Sequence, residues 1–245
     1  MSSLVTFFGL KFSTISVSEL ISRINDETPE IGVAYHLVNS YTLAIADESP
    51  NLFRILKEDV LICDGKPLAL TLRRKNSKLM QIRGADLMRG VLSQKSSINA
   101  RHYFLGSSDQ VLEKLIYTAK RNNPQIKIVG SHSPEFRDDF QDLIPIFEEL
   151  IRASGASIVW IGLGTPKQDF VAHDLAMRLP LNFLAVGAAF DYLSGNLSEA
   201  PRFLQKIGFE WLFRLVKEPD RLAQRYLIGN YKFLRILLRK GSFDE

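Results

Sequence analysis

Short apolar runs alternate with helix-length segments along the first four-fifths of the chain. Residues 4–12, 32–38, 60–63, 102–105, 126–129, 158–163 and 183–186 read as strands. Several of them are continuously apolar and bounded by glycine or polar residues, as strands buried on both faces are. Between them the punctuation is helical. Ser16 opens Ser-Val-Ser-Glu, a capping box closed by Glu19, and predicts a helix to Asn25. A short helix follows over 41–46, and Ser49-Pro50 caps and starts the next. Residues 65–74 read as a loop leading into a helix, and Arg83-Gly84-Ala85-Asp86 precedes a helix over 87–92. Gly106-Ser107-Ser108-Asp109 leads into a helix ending at Arg121. Residues 136–152 look helical, with Pro145 expected to kink or reset them. This alternation predicts an α/β fold with a Rossmann-like, largely parallel sheet flanked by helices.

The stretch 158–191 organises the rest. Two apolar runs deliver Gly164-Thr165-Pro166-Lys167-Gln168-Asp169 and Gly187-Ala188-Ala189-Phe190-Asp191 to one edge of the sheet. Open α/β sheets bind ligands there, and small residues permit close backbone approach.

After Gly195 the pattern changes. Ala200-Pro201 starts a run of helical segments, Pro219 starts another, and no further strand is evident. The division expected is an α/β catalytic domain over 1–195 and a helical appendage over 196–245. Leu227, Tyr231, Leu234 and Leu238 form one helical stripe, with Arg225, Lys232, Arg235 and Arg239 to one side.

Composition sharpens this division. At 245 residues and 46% hydrophobic, the chain suits one large domain with a small appendage. The net charge of +4 lies entirely in residues 196–245, which hold ten Lys/Arg against six Asp/Glu. A basic, amphipathic terminal segment predicts an acidic surface as partner, either an anionic membrane or nucleic acid. One cysteine, Cys63, excludes an intrachain disulfide and fits a reducing compartment. The N-terminus lacks a charged region followed by an apolar core, so no signal peptide is expected. No apolar run is long enough to span a bilayer, and a cytoplasmic protein is expected.

Candidate chemistry sits at strand ends. Asp64 follows a short buried strand and precedes a glycine, which makes it either a general base facing a cleft or an ordinary Asp-Gly turn. Asn39 either hydrogen-bonds a ligand or caps the next helix. Arg83, which with Asp86 flanks Gly84, either binds phosphate or is a surface charge. Gly164 and Gln168 belong to a loop that either contacts a base or sugar or merely joins strand to helix with Thr165 as cap. Gly106, with Ser107 and Ser108, would offer backbone N–H groups to a phosphate. Gly187 and Asp191 close the second loop. Neither a G-x-G-x-x-G nor a Walker loop occurs, which argues against a classical dinucleotide site and an NTPase. The four histidines (36, 102, 132 and 173) show no ligand spacing, so no metal site is expected. Asp-x-Asp is absent, so a departing diphosphate would need arginines to neutralise it. Arg214, Arg221 and Arg225 form the nearest cluster, with Arg221 and Arg225 at i, i+4; a solvated basic face is the bland alternative.

These motifs stand in a specific order: Asn39, Cys63-Asp64-Gly65, Arg83-Gly84-Ala85-Asp86-Leu87, 162–169, 187–191, Ala200-Pro201, 208–215, Glu218-Pro219 and Arg221. Together they resemble the WecG/TagA/CpsF family, glycosyltransferase family 26, over nearly the whole chain. The resemblance implies an inverting, metal-independent hexosyltransferase that needs no cofactor. It would move a sugar from a UDP-sugar to a polyprenyl-diphosphate-linked sugar at the cytoplasmic membrane face, for surface polymers such as teichoic acid or exopolysaccharide. It implies Asp64 as base, with Gln168 and Asp191 in the site. Arg214, Arg221 and Arg225 would lie in an appendage that touches the membrane and closes the cleft. The chain departs from the family pattern at Leu37 (usually threonine), at Gly187-Ala188-Ala189 (usually Gly-Gly-Ser/Thr) and at Ser198-Glu199 (usually basic). These departures are expected to line the sugar pocket. They leave the donor open between N-acetylmannosamine, which the family suggests, and glucose, mannose or a uronic acid. A homo-oligomer is also open. The competing expectations are a non-catalytic nucleotide-binding module with an RNA-binding tail, built on Trp211, Phe213, Tyr226, Tyr231 and Phe233, and a dehydrogenase, which the missing glycine fingerprint disfavours.

Overall fold

The computed structural model describes residues 3–94 and 100–239, the side chains of 221, 224–227 and 239 excepted. It contains one eight-stranded sheet in the order β1-β2-β4-β3-β8-β7-β5-β6. The strands are β1 (Leu4–Phe7), β2 (Leu10–Ser13), β3 (Val33–Val38), β4 (Val60–Cys63), β5 (Arg101–Gly106), β6 (Lys127–His132), β7 (Ile158–Gly162) and β8 (Asn182–Ala185). All pairings are parallel except β1 with β2. The α/β class expected from the pattern is therefore the fold observed.

The first strand differs from expectation. Residues 4–12 make a hairpin, because Phe8 and Gly9 both take positive φ (58° and 70°) and turn the chain in two residues. Alternate burial along β1 and β2 leaves one side of the hairpin in solvent.

The helices begin where capping chemistry predicts. Ser16 accepts from the Glu19 N–H and starts α1 (Val17–Asp26). Asn39 caps α2 (Ser40–Ala46), and Ser49 caps α3 (Pro50–Glu58). Next, α4 (Lys66–Arg73) follows Gly65 at once, without the loop expected there. Then α5 (Gly84–Leu92) starts at Gly84, three residues before the expected point. The later helices of the sheet region are α6 (Asp109–Asn122), α7 (Ile144–Ser154), α8 (Lys167–Ala176) and α9 (Ala189–Ser194). The expected helix over 136–152 exists only from Ile144. Pro145 sits in the first turn of α7, where its missing N–H has no intrahelical role, so it starts a helix and kinks none.

Three apolar clusters flank the sheet. One packs α1, α5, α6 and α9 on one face, and another packs α7 and α8 on the other. The third lies under the β1–β2 hairpin, α2, α3 and α4. Residues after 195 add α10 (Arg202–Ile207), α11 (Glu210–Lys217) and α12 (Pro219–Arg239). Phe233 and Ile236 of α12 join the third cluster, and Leu222 is also buried. Each such side chain is worth roughly 1.5–3 kcal/mol of burial. Gly229 permits the close approach to α2: a Cβ there would stand 2.8 Å from the Tyr41 ring. The stripe expected on α12 is the opposite face. Tyr231, Leu234 and Leu238 are 63%, 53% and 73% exposed, while Leu227 lies outside the described side chains.

Candidate active site

Five parallel strands (β4, β3, β8, β7 and β5) end along one edge of the sheet, and the residues that follow them carry the chemistry. Asp64 follows β4. Its N–H donates to the Val38 carbonyl of β3 at 2.8 Å, so the turn is fixed to its neighbour strand. Its Oδ1 accepts from the Gly65 N–H at 2.7 Å. Gly65 has φ +84°, and a Cβ there would lie 3.0 Å from the Asn39 Cβ. Glycine is required at this position on both counts.

Asn39 caps α2 and lines the cleft. Its Oδ1 accepts from the N–H groups of Tyr41 and Thr42 at 2.9 and 3.1 Å. The capping alternative is therefore real, and the Asn39 Nδ2 makes no hydrogen bond among the described residues. Gln168 is 4% exposed. Its Oε1 accepts from the Gly164 N–H at 3.1 Å, and its Nε2 donates to Thr165 Oγ1 at 3.4 Å. It pins its own loop while packing on Gly187, where a Cβ would come within 3.2 Å of Gln168 Oε1. The helix cap is Pro166 and not Thr165.

Two adjoining cavities open on these residues. The first is lined by Asp64, Lys66, Trp211 and Arg214, among others, and the second by Leu37, Arg83, Gly164, Gln168, Gly187 and Tyr192. Asn39, Asp64, Glu210 and Arg214 line both, so they are two lobes of one cleft roofed by α11. The lobes hold about 120 and 100 Å³. That is below the roughly 300–1,000 Å³ of ordinary ligand pockets, so the cleft is a narrow one.

Arg83 fastens the roof of the cleft. Its Nε and Nη2 donate to the two Glu210 oxygens at 3.0 and 2.8 Å. Its Nη1 donates to Gln205 at 2.9 Å, to Asp86 at 3.0 Å and to Glu199 at 3.2 Å. Arg89 also binds Glu199 and Asp86. The guanidinium thus joins α5 to α10 and α11 and is only 11% exposed. It is no surface charge. Burial opposes its charge, but the carboxylates outweigh burial and hold it protonated.

Asp64 titrates far above an ordinary aspartate, at about 7. Burial raises it most and the Glu210 carboxylate adds to that; the Gly65 N–H, Arg83 and Arg214 offset part. Arg214 lies over the Tyr192 ring, 5.6 Å from its centroid. A carboxylate that titrates near neutrality in a cleft is suited to proton transfer.

Not every expected residue joins this cleft. Asp191 lines neither lobe; its Oδ1 accepts from Asn196 at 3.0 Å and ties down the turn after α9. Gly106 lines neither lobe, and its φ of +108° serves close packing, since a Cβ would meet Leu163 at 2.8 Å. Ser108 caps α6. Asp86 is a salt-bridge partner of Arg83 and Arg89. Ser198 and Glu199 line neither lobe, and the Glu199 departure from the family pattern bears on the Arg83 clasp; Leu37, Ala188 and Ala189 do line the second lobe. The side chains of Arg221 and Arg225 lie outside the described residues, although α12 carries both. Glu210 was not singled out from the sequence. Its only signal there is membership of Gly208-Phe209-Glu210-Trp211 in the ordered motifs.

Strand ends that gather a near-neutral aspartate, an asparagine, a glutamine and two arginines in one crevice define an α/β enzyme built for group transfer. The Glycosyl transferase WecG/TagA/CpsF family model matches residues 5–244, and the chain belongs to that family. It is accordingly a glycosyltransferase of cell-surface polymer synthesis.

Proposed function

We propose that the enzyme transfers a sugar from a UDP-sugar to a polyprenyl-diphosphate-linked sugar at the inner face of the plasma membrane. The observation that carries this reading is Asp64, held near neutrality in a cleft shared with Asn39, Gln168 and Arg214. An acceptor hydroxyl attacks the anomeric carbon and its proton passes to Asp64. The bond from that carbon to the diphosphate oxygen breaks, and UDP leaves with the electron pair. A single displacement inverts the anomeric centre. Arg214, with Arg221 and Arg225, offsets the charge that builds on the departing diphosphate, a term that often dominates catalysis. Metal independence is supported by the missing Asp-x-Asp. Among the described residues, no three His, Cys, Asp or Glu side chains group as a metal site requires.

Residues 196–245 act in this reading as the membrane-facing appendage. Of eighteen exposed large apolar side chains among the described residues, nine lie between Phe203 and Leu238. No described helix is long and apolar enough to cross a membrane, so contact would be peripheral. The RNA-binding alternative has less support, because Phe233 is buried in the core and unable to stack on a base. The test is a donor screen: UDP-sugars are offered with a short-chain polyprenyl-diphosphate sugar and UDP release is followed. Release with no donor of the panel, by protein that binds anionic liposomes, would overturn the assignment.

A further inference from the structure

Beneath the cleft lies a buried chain of charge that the proposed chemistry does not use. His36, in β3, has no solvent exposure. Its Nδ1 is 2.9 Å from Asp169 Oδ1, at the start of α8, and its Nε2 is 3.0 Å from Asp59 Oδ2, at the end of α3. One turn further along α8, His173 Nδ1 is 2.9 Å from the same Asp59 oxygen. The other Asp169 oxygen is buried with no hydrogen-bond partner, so His36 is the group that neutralises this carboxylate.

The geometry favours a charged ring between two ionised carboxylates. A neutral imidazole has one N–H and one lone pair. With carboxylate oxygens at hydrogen-bond distance from both nitrogens, a neutral ring would turn its lone pair on an anion. Only the imidazolium donates both ways.

The elements so joined are the ones that deliver the cleft. Beyond His36, β3 runs through Leu37 and Val38 to Asn39. Asp59 leads into β4, which ends at Asp64. Asp169 directly follows Gln168, whose side chain holds the 164–168 loop. We propose that His36 is a positioning residue: its imidazolium locks α8 to β3 and to the root of β4, and so holds the Gln168 loop in register with Asn39 and Asp64 for the nucleotide-sugar. This rests on the donor reading above.

The groups that face the ring are Asp169 from α8 and Asp59 at the end of α3; behind Asp59 stands His173, whose Nε2 is 3.7 Å from Glu58. The neighbours of His36 across the sheet, Leu61 and Ala185, bring no charge. Burial alone opposes protonation, but the two carboxylates outweigh it and lift His36 to about 9. The lock therefore holds through neutral pH and loosens above it.

Two measurements test the proposal. In the wild-type protein, imidazole nitrogen NMR, assigned by single replacement of the four histidines, should show both His36 nitrogens protonated through pH 8. A neutral His36 at pH 7 overturns the proposal whether or not any variant folds. UDP binding by calorimetry should weaken about tenfold in His36→Gln, the worth of one well-placed hydrogen bond, and recover in part in His36→Gln/Asp169→Asn, which removes the unpaired charge. The ratio of wild-type to double-variant affinity, in which titration of the nucleotide cancels, should be flat to about pH 8 and fall towards pH 10. Folded His36→Gln with wild-type UDP affinity and a flat ratio also overturns it. A wild-type protein that binds no UDP refutes the donor reading instead, and the NMR result still decides the state of His36.

Discussion

Replacing Asp64 with asparagine should make the protein more stable and nearly inactive, and the two effects share one cause. The folded state holds the Asp64 proton up to about pH 7, against an ordinary 3.8. A carboxyl whose folded pKa is raised binds its proton more tightly when folded, so its contribution to stability falls as pH climbs from about 4 to about 7. Above that range the folded state bears a buried carboxylate at a cost of up to about 4 kcal/mol, from roughly three units at 1.36 kcal/mol each, and less where water reaches the cleft. Asparagine removes the charge at nearly the same volume. For a chain of this size, each kcal/mol shifts the melting temperature by roughly 2–4 °C. Asp64→Asn should therefore melt several degrees above wild type at pH 8, with the gap closing towards pH 5, where both side chains are neutral. Turnover should fall by about 10²–10⁴, the usual contribution of a general base, while UDP affinity stays near wild type. Differential scanning fluorimetry across pH and a UDP-release assay read both quantities. Wild-type turnover in the folded variant, or a melting-temperature gap that does not depend on pH, would refute the reasoning.

Glu210→Gln should move the alkaline-rising limb of kcat/KM to lower pH, because Glu210 is the charge that most raises Asp64 after burial; an unmoved limb would dissociate the two. Activity should persist in EDTA, and loss restored by Mg²⁺ or Mn²⁺ would contradict metal independence. Leu234→Glu, on the exposed face of α12, should weaken binding to anionic liposomes with little effect on a water-soluble acceptor; equal loss on both would place Leu234 in the catalytic machinery. Wild-type stability should decline as pH rises from about 6.5 through 9, because His36 has a raised folded pKa, and the decline should be shallower in His36→Gln/Asp169→Asn, where only the raised His173 remains to titrate.

The fold was legible because its determinants are local. Continuous apolar runs such as Val60–Cys63 have one stable location, the middle of a parallel sheet, and Ser16, Ser49 and Asn39 announce their helices by capping. The misreadings are also local ambiguities. A two-residue turn hides inside 4–12, since Phe8 at positive φ is not a residue type that signals a turn. Pro145 reads alike as a kink and as a first-turn residue until the preceding chain is known to be irregular. The α12 stripe was legible as a surface face, and what the pattern hid is the second face, where Phe233 and Ile236 pack on the core. A helix that meets the core on one side and carries apolar residues on the other has two stripes, and periodicity alone does not say which is buried.

The site divides along the same line. Asp64 and Asn39 were legible because each directly follows a buried strand, and Gln168 and Gly187 because the segments that leave β7 and β8 open on the same edge. What those side chains bind was not, since their partners are set by elements distant in sequence. Arg83 reads as a surface charge or a phosphate ligand until Glu199 and Glu210, 116 and 127 residues away, are found on it. His36, Asp59, Asp169 and His173 share no spacing at all, because His36 and Asp169 stand 133 residues apart. Yet a histidine inside an apolar strand already makes a demand: both ring nitrogens must find partners once water is gone. That demand narrows the search to acidic residues on elements that will cover the strand. It turns a lone buried histidine from a residue with no ligand spacing into one whose partners shape the cleft above it.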